Sequence, residues 1–159
     1  MSENVLLIGQ VNDILRDAIE VCNPNTCKDV YVITYSDDAS LYWQQSSQEG
    51  FYDIPESKFG GRSNLGKAYT LVAQLVRKNK LKLNQCAIVL ISDGDATDNY
   101  KKSLLSLDPQ HEAYRVALSI DSSGFTTDKH AYDDRLSFKD IEVDDVRYNF
   151  IEAIRDYAE

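Results

Sequence analysis

Continuous apolar runs of strand length recur along the chain. They cover residues 30–35, 87–91 and 114–120. Runs this short and this rich in β-branched residues are typical of strands that are buried on both faces. The shorter run at residues 41–43 predicts a further strand, and the polar stretch at residues 44–59 predicts a long surface loop.

Apolar residues spaced three and four positions apart predict helices in the remaining parts of the chain. These helices are expected at residues 7–22, 65–81, 99–107 and 146–158. Basic residues at the end of the second helix complement its dipole, which supports that assignment.

Strands separated by helices predict a parallel sheet with right-handed crossovers and helices on both faces. We therefore expect an α/β fold in which a mostly parallel sheet is doubly wound into three layers. At 159 residues the chain is long enough for one such domain, which we place at residues 1–159.

Charge and cysteine content restrict the partners that this domain could bind. A net charge of −9 and a pI near 4.7 oppose unassisted binding to nucleic acid or to anionic lipid. Three cysteines at spacings that match no zinc or redox motif predict reduced thiols. Neither a signal peptide nor an apolar run of membrane-spanning length is visible, so we expect a cytoplasmic protein.

Polar residues follow the predicted strands at the edge where ligands bind in such sheets. One group, residues 36–38, contains Asp37, and another, residues 92–98, contains Asp93. A third, Ser63 and Asn64, precedes a helix that should begin at the same edge. Hydroxyl and carboxylate oxygens on separate loops are the ligands that Mg²⁺ prefers.

Ordinary turns and helix caps use the same residue types, so a structural interpretation stays open at each position. Asp93-Gly94 is a common turn, Ser63 a common N-cap, and Asp37 with Asp38 a common solvated turn. His111, His130 and Cys86 have no partner in the sequence that would indicate catalysis, and we interpret them as surface or packing residues.

Two segments resemble the metal-site motifs of von Willebrand factor A domains. Residues 60–68, GGRSNLGKA, are similar to the second motif, and residues 88–98, IVLISDGDATD, are similar to the third. One predicted helix and one predicted strand separate them, as in that family. The likeness covers nearly the whole chain and is closest to the compact bacterial domains of the tellurium-resistance type, which would imply a role in a stress response.

The resemblance implies a metal-ion-dependent adhesion site on these loops. Ser63 would be its hydroxyl ligand and Asp93 its carboxylate ligand, with Gly94 allowing the tight turn. The ion would be Mg²⁺ or Mn²⁺. The neighbouring residues that would contact the partner or support the ligands are Asp37, Asn64, Asp95 and Asp98.

The family's first motif, Asp-x-Ser-x-Ser at the end of the central first strand, has no counterpart in this sequence. Met1 falls where that motif should end, so the sequence predicts a domain that lacks its central strand and binds metal weakly or not at all. A start codon assigned at an internal Met, a deliberate fragment, and a natural variant that borrows a strand by dimerisation would each explain this. We favour the first.

Two classes of function follow. In the first, the domain is a non-enzymatic protein-binding module in which a partner's acidic residue completes the coordination of the ion. In the second, it is a metal-independent scaffold or assembly subunit of the same fold. A metal-dependent hydrolase is a distant third, because the sequence offers no nucleophile and base for it.

Overall fold

The computed structural model describes residues 3–9, 27–47, 50, 64–92, 98–119 and 132–137. The strands are β1 (Glu3–Gly9), β2 (Cys27–Tyr35), β3 (Ala39–Gln44), β4 (Cys86–Ser92), β5 (Tyr114–Ser119) and β6 (Asp134–Ser137). The helices are α1 (Leu65–Lys78) and α2 (Tyr100–Leu107), with short 3-10 turns at Gln45–Ser47 and Leu83–Gln85. Within these ranges, no helix is long and apolar enough to cross a bilayer.

One sheet joins the six strands in the order β3-β2-β1-β4-β5-β6. All neighbouring pairs are parallel except β2 and β3, which form an antiparallel pair at one edge. The chain runs outward from β1 on one side and from β4 on the other, which is the strand order of a doubly wound α/β fold. The prediction that β2, β4 and β5 are parallel and buried is confirmed.

Both faces of the sheet are buried. On one face, Leu6 and Ile8 of β1 belong to a cluster that also includes Leu65 and Val72 of α1. On the other face, β1 places Leu7, which is also completely buried. Burial on both faces is the property that continuous apolar strands require, and it agrees with the expected three layers. Residues 10–22 of the helix predicted at 7–22, and the whole helix predicted at 146–158, lie outside the described residues.

The expectation of a missing central strand is wrong. Residues 3–9, which begin two positions after Met1, form β1, and β1 is hydrogen-bonded to β2 on one side and β4 on the other. The four-residue apolar run Val5–Ile8 is completely buried, and so short a run fits a buried strand as well as the start of a helix. The predicted helix at residues 7–22 is therefore wrong at its start, and the reason for expecting strand exchange between two chains disappears.

The other elements differ from prediction mainly at their ends. Helix α1 ends at Lys78, because the next residues form a Schellman motif: Leu81 N–H donates to the Val76 carbonyl at 2.9 Å and Lys80 N–H to the Arg77 carbonyl at 3.3 Å. Residues 41–43 are confirmed as strand within β3. Strand β6 was not predicted from the sequence.

Candidate functional site

Three strands end side by side at what we call the carboxyl edge of the sheet. Ile8 of β1 is paired with Ile33 of β2, and Gly9 of β1 is paired with Ile91 of β4. The segments that follow β1, β2 and β4 therefore leave the sheet next to one another. In doubly wound sheets this edge, where the strand order reverses, is where ligands bind.

Asp98 connects the segment after β4 to the beginning of α1. Its carboxylate accepts the backbone N–H of Gly66, with distances of 3.1 Å to Oδ1 and 3.0 Å to Oδ2. Asn64, the residue before the helix, makes no side-chain capping bond. A carboxylate 32 positions away thus satisfies one of the helix's free N–H groups and places negative charge at the positive end of its dipole.

Asn64 connects the same helix to the turn between β2 and β3. Its backbone N–H donates to the Ser36 carbonyl at 3.0 Å, and its side-chain Nδ2 donates to the Asp37 carbonyl at 3.0 Å. Lys67 adds an exposed ion pair with Asp38 at 2.9 Å. The start of α1 is consequently fixed to the β2–β3 turn on one side and to the post-β4 segment on the other.

The predicted site residues are divided between described and undescribed parts of the chain. The two expected metal ligands, Ser63 and Asp93, lie outside the described residues, as do Gly94 and Asp95. Their approach to a common ion therefore stays a prediction. In the described part of the chain, no three acidic, histidine or cysteine side chains gather as a metal-binding group.

The other three candidates, Asp37, Asn64 and Asp98, do converge on the start of α1. Each has a structural role there. The Asp37 carbonyl accepts the Asn64 side-chain amide, and the Asn64 backbone N–H fixes the start of α1 to the β2–β3 turn. The Asp98 carboxylate caps α1 by accepting the Gly66 N–H. Sequence analysis identified the residues but missed these contacts. The capping role has no local signal, because it joins positions 32 residues apart.

The presence of β1 changes the interpretation of the absent first motif. Since β1 ends at Gly9, the sequence at the position expected for Asp-x-Ser-x-Ser is Gly9-Gln10-Val11-Asn12-Asp13. The strand is there, and the residues that follow it differ from the family's ligands. The lack of an Asp-x-Ser-x-Ser pattern in this sequence therefore does not come from a missing strand.

A second polar cluster lies at the opposite edge, where the parallel strands begin, which we call the amino edge. The Asp29 carboxylate accepts Gln44 Nε2 at 2.8 Å, Ser46 Oγ at 3.0 Å, Ser46 N–H at 3.2 Å and Val30 N–H at 2.9 Å. Burial raises the pKa of the neighbouring Tyr31 to about 12, and the charge of Asp29 contributes to the rise. Sequence analysis did not identify this cluster, because its members come from separate strands.

A buried ion pair secures the connection from α2 to β5. Arg115 Nη2 donates to Asp108 Oδ2 at 3.1 Å and to the Asp108 carbonyl at 3.1 Å, and both side chains are almost fully buried. The Asp108 carboxylate also accepts the N–H groups of Glu112 and Ala113 at 2.8 and 3.0 Å. This is a structural arrangement, since neither charge is open to solvent.

No protein-family model matches the sequence, and a comparison with curated proteins finds no match. Among solved structures, the chain is similar to an aerotolerance-related membrane protein from Bacteroides fragilis NCTC 9343 that carries multiple mutations to serines. The two share 16% sequence identity, over 75% of this chain and 67% of that chain, with a TM-score of 0.48. The α/β architecture rests on the strand order and pairing of this chain itself.

Proposed function

We propose that this chain is a non-enzymatic protein-binding module of the von Willebrand factor A type, and that it binds its partner at the carboxyl edge. The contact between Asp98 and Gly66 is the main support. It joins the segment after β4 to the start of α1, and these are the two segments that resemble the third and second metal-site motifs. Gly66, three positions after Ser63, and Asp98, five positions after Asp93, are thereby held together at the edge where such folds bind ligands.

In this proposal Ser63 and Asp93 are the remaining ligands of a degenerate site for Mg²⁺ or Mn²⁺. Water and an acidic residue of the partner would fill the other positions of the octahedral shell. The segment after Gly9 offers neither serine of the first motif, and the Asp98 carboxylate is already engaged by Gly66. We therefore expect an affinity for Mg²⁺ that is millimolar or weaker, on the order of the weakest protein sites for divalent cations.

A metal-independent scaffold is the second candidate, and the position of β1 favours it. The strand that should supply one carboxylate and two hydroxyls is in place, yet it is followed by Gln10, Val11 and Asn12. A domain that kept the sheet and replaced the ligands would bind its partner through side chains alone. In either form the proposal includes a cytoplasmic location and a stress-related role of the tellurium-resistance type.

Calorimetric titration with Mg²⁺ and capture of the partner from the native host test this proposal together. The wild type is compared with Ser63→Ala, Asp93→Ala and, as a control away from this edge, Lys102→Gln. Saturable Mg²⁺ binding, and partner capture that EDTA and either edge variant abolish, would support the metal-assisted form. Capture that resists EDTA but is lost in the edge variants would support the scaffold. Capture equal in all variants would exclude the carboxyl edge as the binding surface.

A further inference from the structure

We draw no further inference here: the strongest candidate, the amino-edge pocket bordered by Asn4, Asp29, Lys80 and Lys82, carries none, because the Gln44 side-chain nitrogen in its wall is already hydrogen-bonded to Asp29 and Ser46 and nothing in the structure shows what would fill it.

Discussion

A Cβ added to Gly66 would lie 2.8 Å from Oδ2 of Asp98 and 3.0 Å from Oγ of Ser103. The same Asp98 oxygen accepts the Gly66 N–H, as does Oδ1, so moving Oδ2 away from an added methyl group would disturb the two-oxygen contact that caps α1. Because Gly66 has no side chain, Asp98 of the segment after β4 and Ser103 of α2 can lie this close to the start of α1.

The first prediction is that Gly66→Ala destabilises the protein. In an unconstrained helix this change stabilises by about 1 kcal/mol, but here the added methyl group collides with Asp98, and we expect a loss of about 1–2 kcal/mol. Urea denaturation followed by circular dichroism measures it. Adding Ser103→Ala should recover part of the loss, and a stabilised single variant would show that the contact is not tight.

Removing the distant cap should also destabilise α1. For Asp98→Ala we expect a loss of about 1–2 kcal/mol in the free energy of unfolding, the usual cost of removing an N-cap acceptor. Asp98→Asn should lose less, because the amide oxygen still accepts a hydrogen bond. Asp38→Asn is the matched control: it breaks only the exposed pair with Lys67, and a change below about 0.5 kcal/mol is expected. Equal losses for Asp98→Ala and Asp38→Asn would contradict the capping role.

How far the sequence predicted this structure depends on whether a feature is local. Strands β4 and β5 and helix α1 were predicted almost to their ends, because continuous apolar runs and helical spacing are properties of neighbouring residues. Strand β1 was missed because its four apolar residues are followed by Val11 at helical spacing. Strand β6 is a four-residue edge strand, DRLS, whose mixed composition resembles a loop.

The candidate site was less predictable than the fold. Motif resemblance identified Asn64 and Asp98, but the contacts that they make depend on segments brought together only in the folded chain. The polar cluster around Asp29 is an extreme case, since Asp29, Gln44 and Ser46 belong to β2, β3 and the 3-10 turn after β3. No local pattern connects residues such as these, and only the sheet topology brings them to one edge.

Breaking the buried ion pair at the start of β5 should be costly. Arg115→Met leaves the fully buried Asp108 carboxylate without its cation, and we expect a loss of about 3–5 kcal/mol in stability. The double variant Arg115→Met with Asp108→Asn should lose less than the sum of the two single changes, because the second change removes the uncompensated charge. Thermal unfolding of the three variants measures this coupling, and strict additivity would argue against it.

Tyr31 should make stability fall at alkaline pH. Burial raises its folded-state pKa to about 12 from the ordinary 10.0. Below pH 10 the residue is neutral in both states and this contribution is fully present. As pH rises from about 10 towards 12, the unfolded state loses its proton first, so stability decreases. Tyr31→Phe should show a shallower decline over this range in urea denaturation, and parallel curves for the two proteins would contradict the assignment.

The last prediction concerns the backbone at Lys80, which has a φ of 54° at the end of α1. Glycine avoids the Cβ penalty of a positive φ, about 1–2 kcal/mol, but loses more backbone entropy on folding, about 0.5–1 kcal/mol. Lys80→Gly should therefore stabilise the protein by about 0.5–1 kcal/mol in urea denaturation. Lys82→Gly is the control, because Lys82, at φ −96°, has no such penalty to relieve and should be destabilised. Unchanged or reduced stability in Lys80→Gly would show that the left-handed conformation of Lys80 is not strained.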